Sequence, residues 1–184
     1  IFCQYVRGLG QGGKILLRAN KGGKEMSINR VREFMRERGM EDRVLEFDVS
    51  SATVELAAQA VGCEPARIAK TMSFLTGDGP VLVVTAGDMK IDNPKFKAQF
   101  HTKAKMIPPE QVEELIGHGV GGVCPFAVTD GTSVYLDESL KRFDTVYPAA
   151  GSANSAVRLS PEELVSLSGS RGWVDVCKSA VIKL

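Results

Sequence analysis

The segment Gly117-His118-Gly119-Val120-Gly121-Gly122-Val123-Cys124-Pro125-Phe126 constrains this chain more than any other. Four glycines fall within the six residues 117–122, and Pro125 closes the run. Helices and central strands both tolerate that composition poorly, because glycine loses the most backbone entropy and proline donates no ladder hydrogen bond. The fold must therefore carry a loop whose backbone is reachable and able to take positive φ. Successive N–H groups in such a loop can form a concave donor site for a carbonyl oxygen or a phosphate. In acyl transfer the same donors would stabilise a tetrahedral oxyanion. A tight turn between a helix and a strand uses the same residues, and on spacing alone it is the commoner outcome. The loop is not a Walker A motif, since no Gly-Lys-Ser or Gly-Lys-Thr follows, and no helix clearly follows to make it a dinucleotide fingerprint.

The pattern around the loop predicts a single α+β domain with a mixed, largely antiparallel and curved sheet. Ser27 is placed to cap a helix with an apolar face of Ile28, Val31, Phe34 and Met35, closed by Gly39. Leu45 to Val49 alternates as a strand does, and a second helix spans Thr53 to Val61. Pro65 opens a short helical turn. Thr71–Thr76 and Val81–Ala86 read as strands joined by a Gly77-Asp78-Gly79-Pro80 hairpin. Helices start at Asn93-Pro94 and at Pro108-Pro109. Short strands follow near 133–136, 145–147 and 156–159. Ser160-Pro161-Glu162-Glu163 combines a capping box with proline at the first helical position, and Trp173–Val176 reads as a closing strand. Residues 1–25 differ from the rest. They are rich in Gly and Lys, with one candidate strand near Ile15-Leu16-Leu17, and Met26 looks like a natural start. They read as an extension or leader before a domain at 26–184.

At 184 residues, with 43% hydrophobic and 24% charged, the chain is long enough for one real core. A net charge of +1 excludes a protein that grips DNA through many phosphate contacts. No apolar run is long enough to span a membrane, and residues 1–25 lack the features of a signal peptide. Cys3, Cys63, Cys124 and Cys177 are far apart, which supports neither a zinc site nor a disulfide framework. A reduced, cytoplasmic protein is the expectation.

Lys70 is the second informative residue. It stands at the start of an apolar strand, where a Lys can point into a cleft and bind a phosphate or carbonyl, although a solvated Lys on an edge is commoner. Cys124 invites a nucleophile reading, but a half-buried Cys before Pro is more ordinary. His118 is more often a surface loop residue than a base. Lys90, Lys95, Lys97, Lys103 and Lys105 make the densest basic stretch, either a solvated face or a modest contact for an RNA backbone.

Four segments together resemble the YbaK/prolyl-tRNA-synthetase-associated editing-domain family. They are Ile68-Ala69-Lys70-Thr71, Thr85 to Asp92, Gly119 to Phe126, and Asn154 within Ala149–Asn154. The likeness runs from about Ser27 to Val176. It implies a curved mixed sheet closed toward a barrel with helices around it. It also implies hydrolysis of the ester between a wrong amino acid and the 3′ end of tRNA, with neither metal nor cofactor. Prolyl-tRNA synthetase is the implied candidate partner. By resemblance Lys70 contacts the terminal nucleotide or the carbonyl. The amides of Gly121, Gly122 and Val123 face the scissile carbonyl. Thr71, Asp88, Gly119, Pro125, Phe126 and Asn154 complete the substrate site. The nucleophile is then a water positioned by the substrate's own ribose hydroxyl. Some family members carry Ser or His near the position of Ala150, which here has no polar group, so amino-acid preference rests there. The alternative is a binding module that keeps the pocket, for a nucleotide, a tRNA end or a protein, without turnover.

Overall fold

The computed structural model describes residues 21–180, with side chains from Ser27 onward. The strand expected near Ile15-Leu16-Leu17, most of the expected leader and Cys3 lie outside the described residues. The first helix begins earlier than Ser27: α1 spans Lys21–Arg36. Ser27 sits inside it, and its hydroxyl turns to the His118 ring, so it is not an N-cap. The apolar stripe is as read, with Ile28, Val31 and Met35 buried.

Strand β1 (Val44–Glu46) precedes α2 (Val54–Val61), whose Thr53 cap accepts from the Leu56 amide. The long hairpin β2 (Ile68–Thr76) and β3 (Gly79–Ala86) follows, then β4 (Met89–Ile91). Next come α3 (Asn93–Phe100), capped by Asp92, and α4 (Pro109–Ile116). Strands β5 (Ser133–Asp137), β6 (Tyr147–Pro148) and β7 (Ser155–Val157) precede α5 (Pro161–Ser168), which carries the full capping box. Strands β8 (Trp173–Val174) and β9 (Cys177–Ser179) close the described chain. No helix among the described residues is long and apolar enough to cross a membrane.

The main sheet has the order β6-β2-β3-β5-β8, with β1-β7 and β4-β9 as separate pairs. The β2–β3 ladder and both outlying pairs are antiparallel, whereas β2–β6, β3–β5 and β5–β8 are short parallel ladders. The sheet is thus mixed, and it stays open. Leu82, Val84 and Leu136 on one face pack with Val31 and Met35 of α1 and with Phe126 of the glycine loop. Val81, Val83 and Phe74 on the other face meet Phe96 of α3, whose ring centroid lies 4.9 Å from that of Phe74.

The outer edge of β2 is paired in two separate stretches. Pairing with β6 covers only Ile68 and Ala69. From Ser73 onward, residues 105–107 take over, with Ile107 N–H donating to Ser73 O at 3.1 Å and Leu75 N–H to Lys105 O at 3.0 Å. Between them the edge is open, and the cleft forms there.

Candidate functional site

The cleft holds about 280 Å³ and is lined by Lys70, Thr71 and Met72 of β2, by Gly121 and Val123 of the glycine loop, and by Ala149. Lys70 reaches it from a half-buried position opposite Thr85. One ammonium proton goes to the Met89 carbonyl, at 2.6 Å, which fixes the side chain against β4. Two donors remain for a ligand. Burial lowers the Lys70 pKa, and nearby Cys177 and Asp88 oppose that shift.

The loop is a turn built on its glycines. The Gly122 amide donates to Gly119 O at 3.0 Å, and Gly121 takes φ 89° at the corner. Only glycine adopts that φ without strain. Gly122 is buried against the chain at Gly151 and Ser152. The Gly122 amide therefore closes the turn, whereas those of Gly121 and Val123 have no acceptor among the described residues. These two are the donors that the loop leaves available to a carbonyl oxygen.

Several residues expected at the site hold the loop and its surroundings. Pro125 and Phe126 are buried, and the Phe126 ring packs on Phe34 of α1 at 6.2 Å between centroids. Asp88 does not line the cleft. Its carboxylate takes a two-pronged bond from Arg142, at 2.5 and 3.0 Å, which holds its pKa below the usual carboxylate range. Asn154 donates to Phe47 O at 2.9 Å and accepts from Ser152 Oγ, tying the 152–155 loop to the end of β1. Ala150 is fully buried in the core, so the cleft wall is Ala149 and Ala156 instead. A polar group at 150 would face the core, whereas residue 149 faces the cleft. Neither Ala149, Ala156 nor the Met89 carbonyl stands out in the sequence; small residues and a backbone oxygen carry no pattern. In the basic stretch, Lys95 pairs with Asp175 at 2.7 Å, while Lys90, Lys97, Lys103 and Lys105 are exposed.

His118 and Cys124 are both fully buried, against the expectation of a surface histidine and a half-buried cysteine. The His118 Nε2–H donates to Phe126 O at 2.6 Å, so Nδ1 accepts from Ser27 Oγ at 2.5 Å. Burial lowers the His118 pKa. An unfolded chain, with its histidine near 6.5, then binds more protons than the folded one, so stability falls as pH drops below about 6.5. Urea unfolding between pH 7.5 and 5.5 should show this loss in the wild type and a flatter profile in His118→Asn. Equal slopes would count against a neutral, buried His118. Burial also pushes the Cys124 thiol up to about 12, and the one imidazole beside it is engaged by Phe126. Cys124→Ser should therefore change the rate of any reaction at this cleft by no more than about threefold. A complete loss in a folded Cys124→Ser protein would restore the cysteine as nucleophile.

The family described as "Aminoacyl-tRNA editing domain" matches residues 49–167. The uncharacterized protein YwhH of Bacillus subtilis (strain 168) is 51% identical over 154 residues, covering 83% of this chain and 98% of that protein. A crystal structure provisionally assigned as a trans-editing enzyme for prolyl tRNA synthetase superposes with a TM-score of 0.75 at 32% identity, covering 83% of this chain and 98% of that one. The proline–tRNA ligase of Thermotoga neapolitana is 29% identical over 92 residues, 48% of this chain but only 15% of the ligase. Lys70, Thr71, Gly121 and Val123 all fall within the matched segment 49–167, and this chain belongs to the aminoacyl-tRNA editing domain family.

Proposed function

We propose that this protein hydrolyses mischarged aminoacyl-tRNA in trans, removing a small wrong amino acid from tRNA for proline in the cytoplasm. The observation that carries the reading is the meeting of Lys70 with the Gly121 and Val123 amides in one cleft whose lining hydroxyls have no histidine or carboxylate among them to act as a base. The likeness to a trans-editing enzyme and to a segment of a proline–tRNA ligase supports the choice of tRNA.

A water attacks the ester carbonyl, and the carbonyl oxygen becomes an oxyanion facing the Gly121 and Val123 amides. The tetrahedral intermediate expels the ribose oxygen, which takes up a proton, and free amino acid and intact tRNA leave. The neighbouring ribose hydroxyl positions the water. Lys70 holds the terminal nucleotide or the carbonyl through its two remaining protons. Each well-placed oxyanion donor is worth roughly 3 to 4 kcal/mol, which suffices for an ester that already hydrolyses readily. The apolar wall of Ala149, Ala156 and Val123 suits a small side chain. Incubating the protein with tRNA for proline charged with alanine, cysteine or serine should release at least one of these amino acids well above the spontaneous rate. Binding of the tRNA without release would leave a module that recognises the substrate and does not turn it over.

A further inference from the structure

The outer edge of β2 brings hydrogen-bonding groups into the cleft that the protein itself does not pair. In an antiparallel strand, alternate residues direct both N–H and C=O to the same edge. Ser73 and Leu75 direct theirs away from β3, toward residues 105–107. Thr71 has the same parity and shares that edge. Pairing with β6 stops at Ala69, because Ala149 bridges to Ala156 instead. Among the described residues, nothing accepts from the amides of Thr71 and Ser73, and nothing donates to the Thr71 carbonyl. The Thr71 hydroxyl is shielded from solvent and also lacks a partner. Both residues line the cleft, and Ser73 is only 6% exposed. Buried polar groups are rarely left unsatisfied without reason, so this edge is built for an occupant.

We propose that this stretch of β2 is the subsite for the terminal adenine of the tRNA, with Thr71 C=O accepting from the exocyclic amine and Ser73 N–H donating to N1. The proposal rests on the editing reading above and specifies where the last base of that substrate sits. On a strand edge, the C=O of one residue lies beside the N–H of the residue two further on, an acceptor next to a donor. The Watson–Crick edge of adenine offers a donor next to an acceptor, and single-stranded bases are read by such contacts. The α-ammonium of the amino acid only donates, and it would leave the Ser73 amide buried and unpaired. Cytosine presents the same two groups, but adenosine is the nucleoside that bears the ester. Thr71 adjoins Lys70 and lies in the same cleft as the Gly121 and Val123 amides. Ile107 and Val112 on one side of the strand edge, and Met72 and Met106 on the other, supply apolar walls for a purine ring.

The test compares deacylation of mischarged tRNA for proline ending in adenosine, inosine, purine riboside or 7-deazaadenosine. Inosine reverses both groups and is expected to lower kcat/KM by roughly 30- to 100-fold, and purine riboside, which lacks the amine, by about tenfold. 7-Deazaadenosine keeps both groups and should match adenosine. Equal rates on adenosine and inosine ends overturn the subsite and leave the editing reading standing. If no end is cleaved, the editing reading fails, and titration with adenosine 5′-monophosphate and inosine 5′-monophosphate decides the subsite. A preference of about tenfold for the adenine nucleotide then supports it, and equal affinity overturns it. Ser73→Pro removes the N–H and keeps the carbonyl that Ile107 uses, so on adenosine ends it should cost about tenfold, as the loss of one of the two bonds does with purine riboside. Should that variant not fold, the nucleotide series alone gives the answer.

Discussion

Replacing Lys70 with alanine is expected to lower kcat/KM for deacylation by about 10²- to 10³-fold while the protein stays folded. The size follows from what the ammonium does in the cleft. It is half-buried and already fixed by the Met89 carbonyl at 2.6 Å, so its two other protons are oriented before substrate arrives. A preorganised donor in a site with little water is worth far more than the same group in solvent. The structural cost of the change is small by comparison. The Met89 carbonyl loses one neighbour, but β4 keeps its three-residue pairing with β9. A loss of about 1 kcal/mol in stability is expected, the size of one ordinary hydrogen bond. Lys70→Met, which keeps the apolar stem, should be as inactive as alanine and closer to wild type in thermal midpoint. Single-turnover hydrolysis and a thermal melt on the same preparations separate the two effects. A folded Lys70→Ala protein within fivefold of wild-type activity would remove Lys70 from the site.

Lys70 also shows how far the sequence could be read. Where short-range chemistry decides, it could be read well. Thr53, Asp92 and Ser160 each accept from an amide within three residues, and the helices they cap begin where expected. Ser27 has the same cap chemistry, yet its hydroxyl bonds His118, 91 residues away, and the helix runs past it toward the N-terminus. No local pattern announces such a partner. Strands β4, β6 and β9 have two or three residues each, too few to show a period. Lys70 and the glycines of the loop stand out in the sequence because their residue types are unusual where they stand, and the structure brings them to one cleft. The exchange of Ala150 for Ala149 was not legible, since successive residues of an extended chain face opposite ways and only the bridge to Ala156 fixes which one meets the cleft. Asp88 and Asn154 are polar residues near a site, and sequence cannot tell a residue that touches substrate from one that braces a loop.

Gly122→Ala is the other change with a large expected effect, and it tests the loop rather than the lysine. A Cβ on Gly122 would lie 2.6 Å from the carbonyl carbon and oxygen of Gly151 and 2.7 Å from the Ser152 amide nitrogen. All three are backbone atoms, so no side chain can swing aside. Gly151 cannot yield easily either, because it is wedged against α1: a Cβ there would meet the Ser27 carbonyl oxygen at 2.8 Å. The strain must therefore move the 119–123 turn outward. That shift would carry the Gly121 and Val123 amides away from the carbonyl they are proposed to face. Overpacking of this kind costs about 1 to 3 kcal/mol in stability. Misplacing oxyanion donors costs about 10²-fold or more in rate, since a displacement near 1 Å is enough. Gly121→Ala provides the contrast. Its Cβ would meet the side chains of Ala153 at 3.3 Å and Ala52 at 4.0 Å and no backbone atom, so strain there comes mainly from φ 89°. The expected order of deacylation rates is wild type above Gly121→Ala above Gly122→Ala, with the KM for tRNA changing less than kcat in both. If Gly122→Ala folds and keeps wild-type kcat, the loop is a structural turn after all, and the oxyanion must be held elsewhere in the cleft.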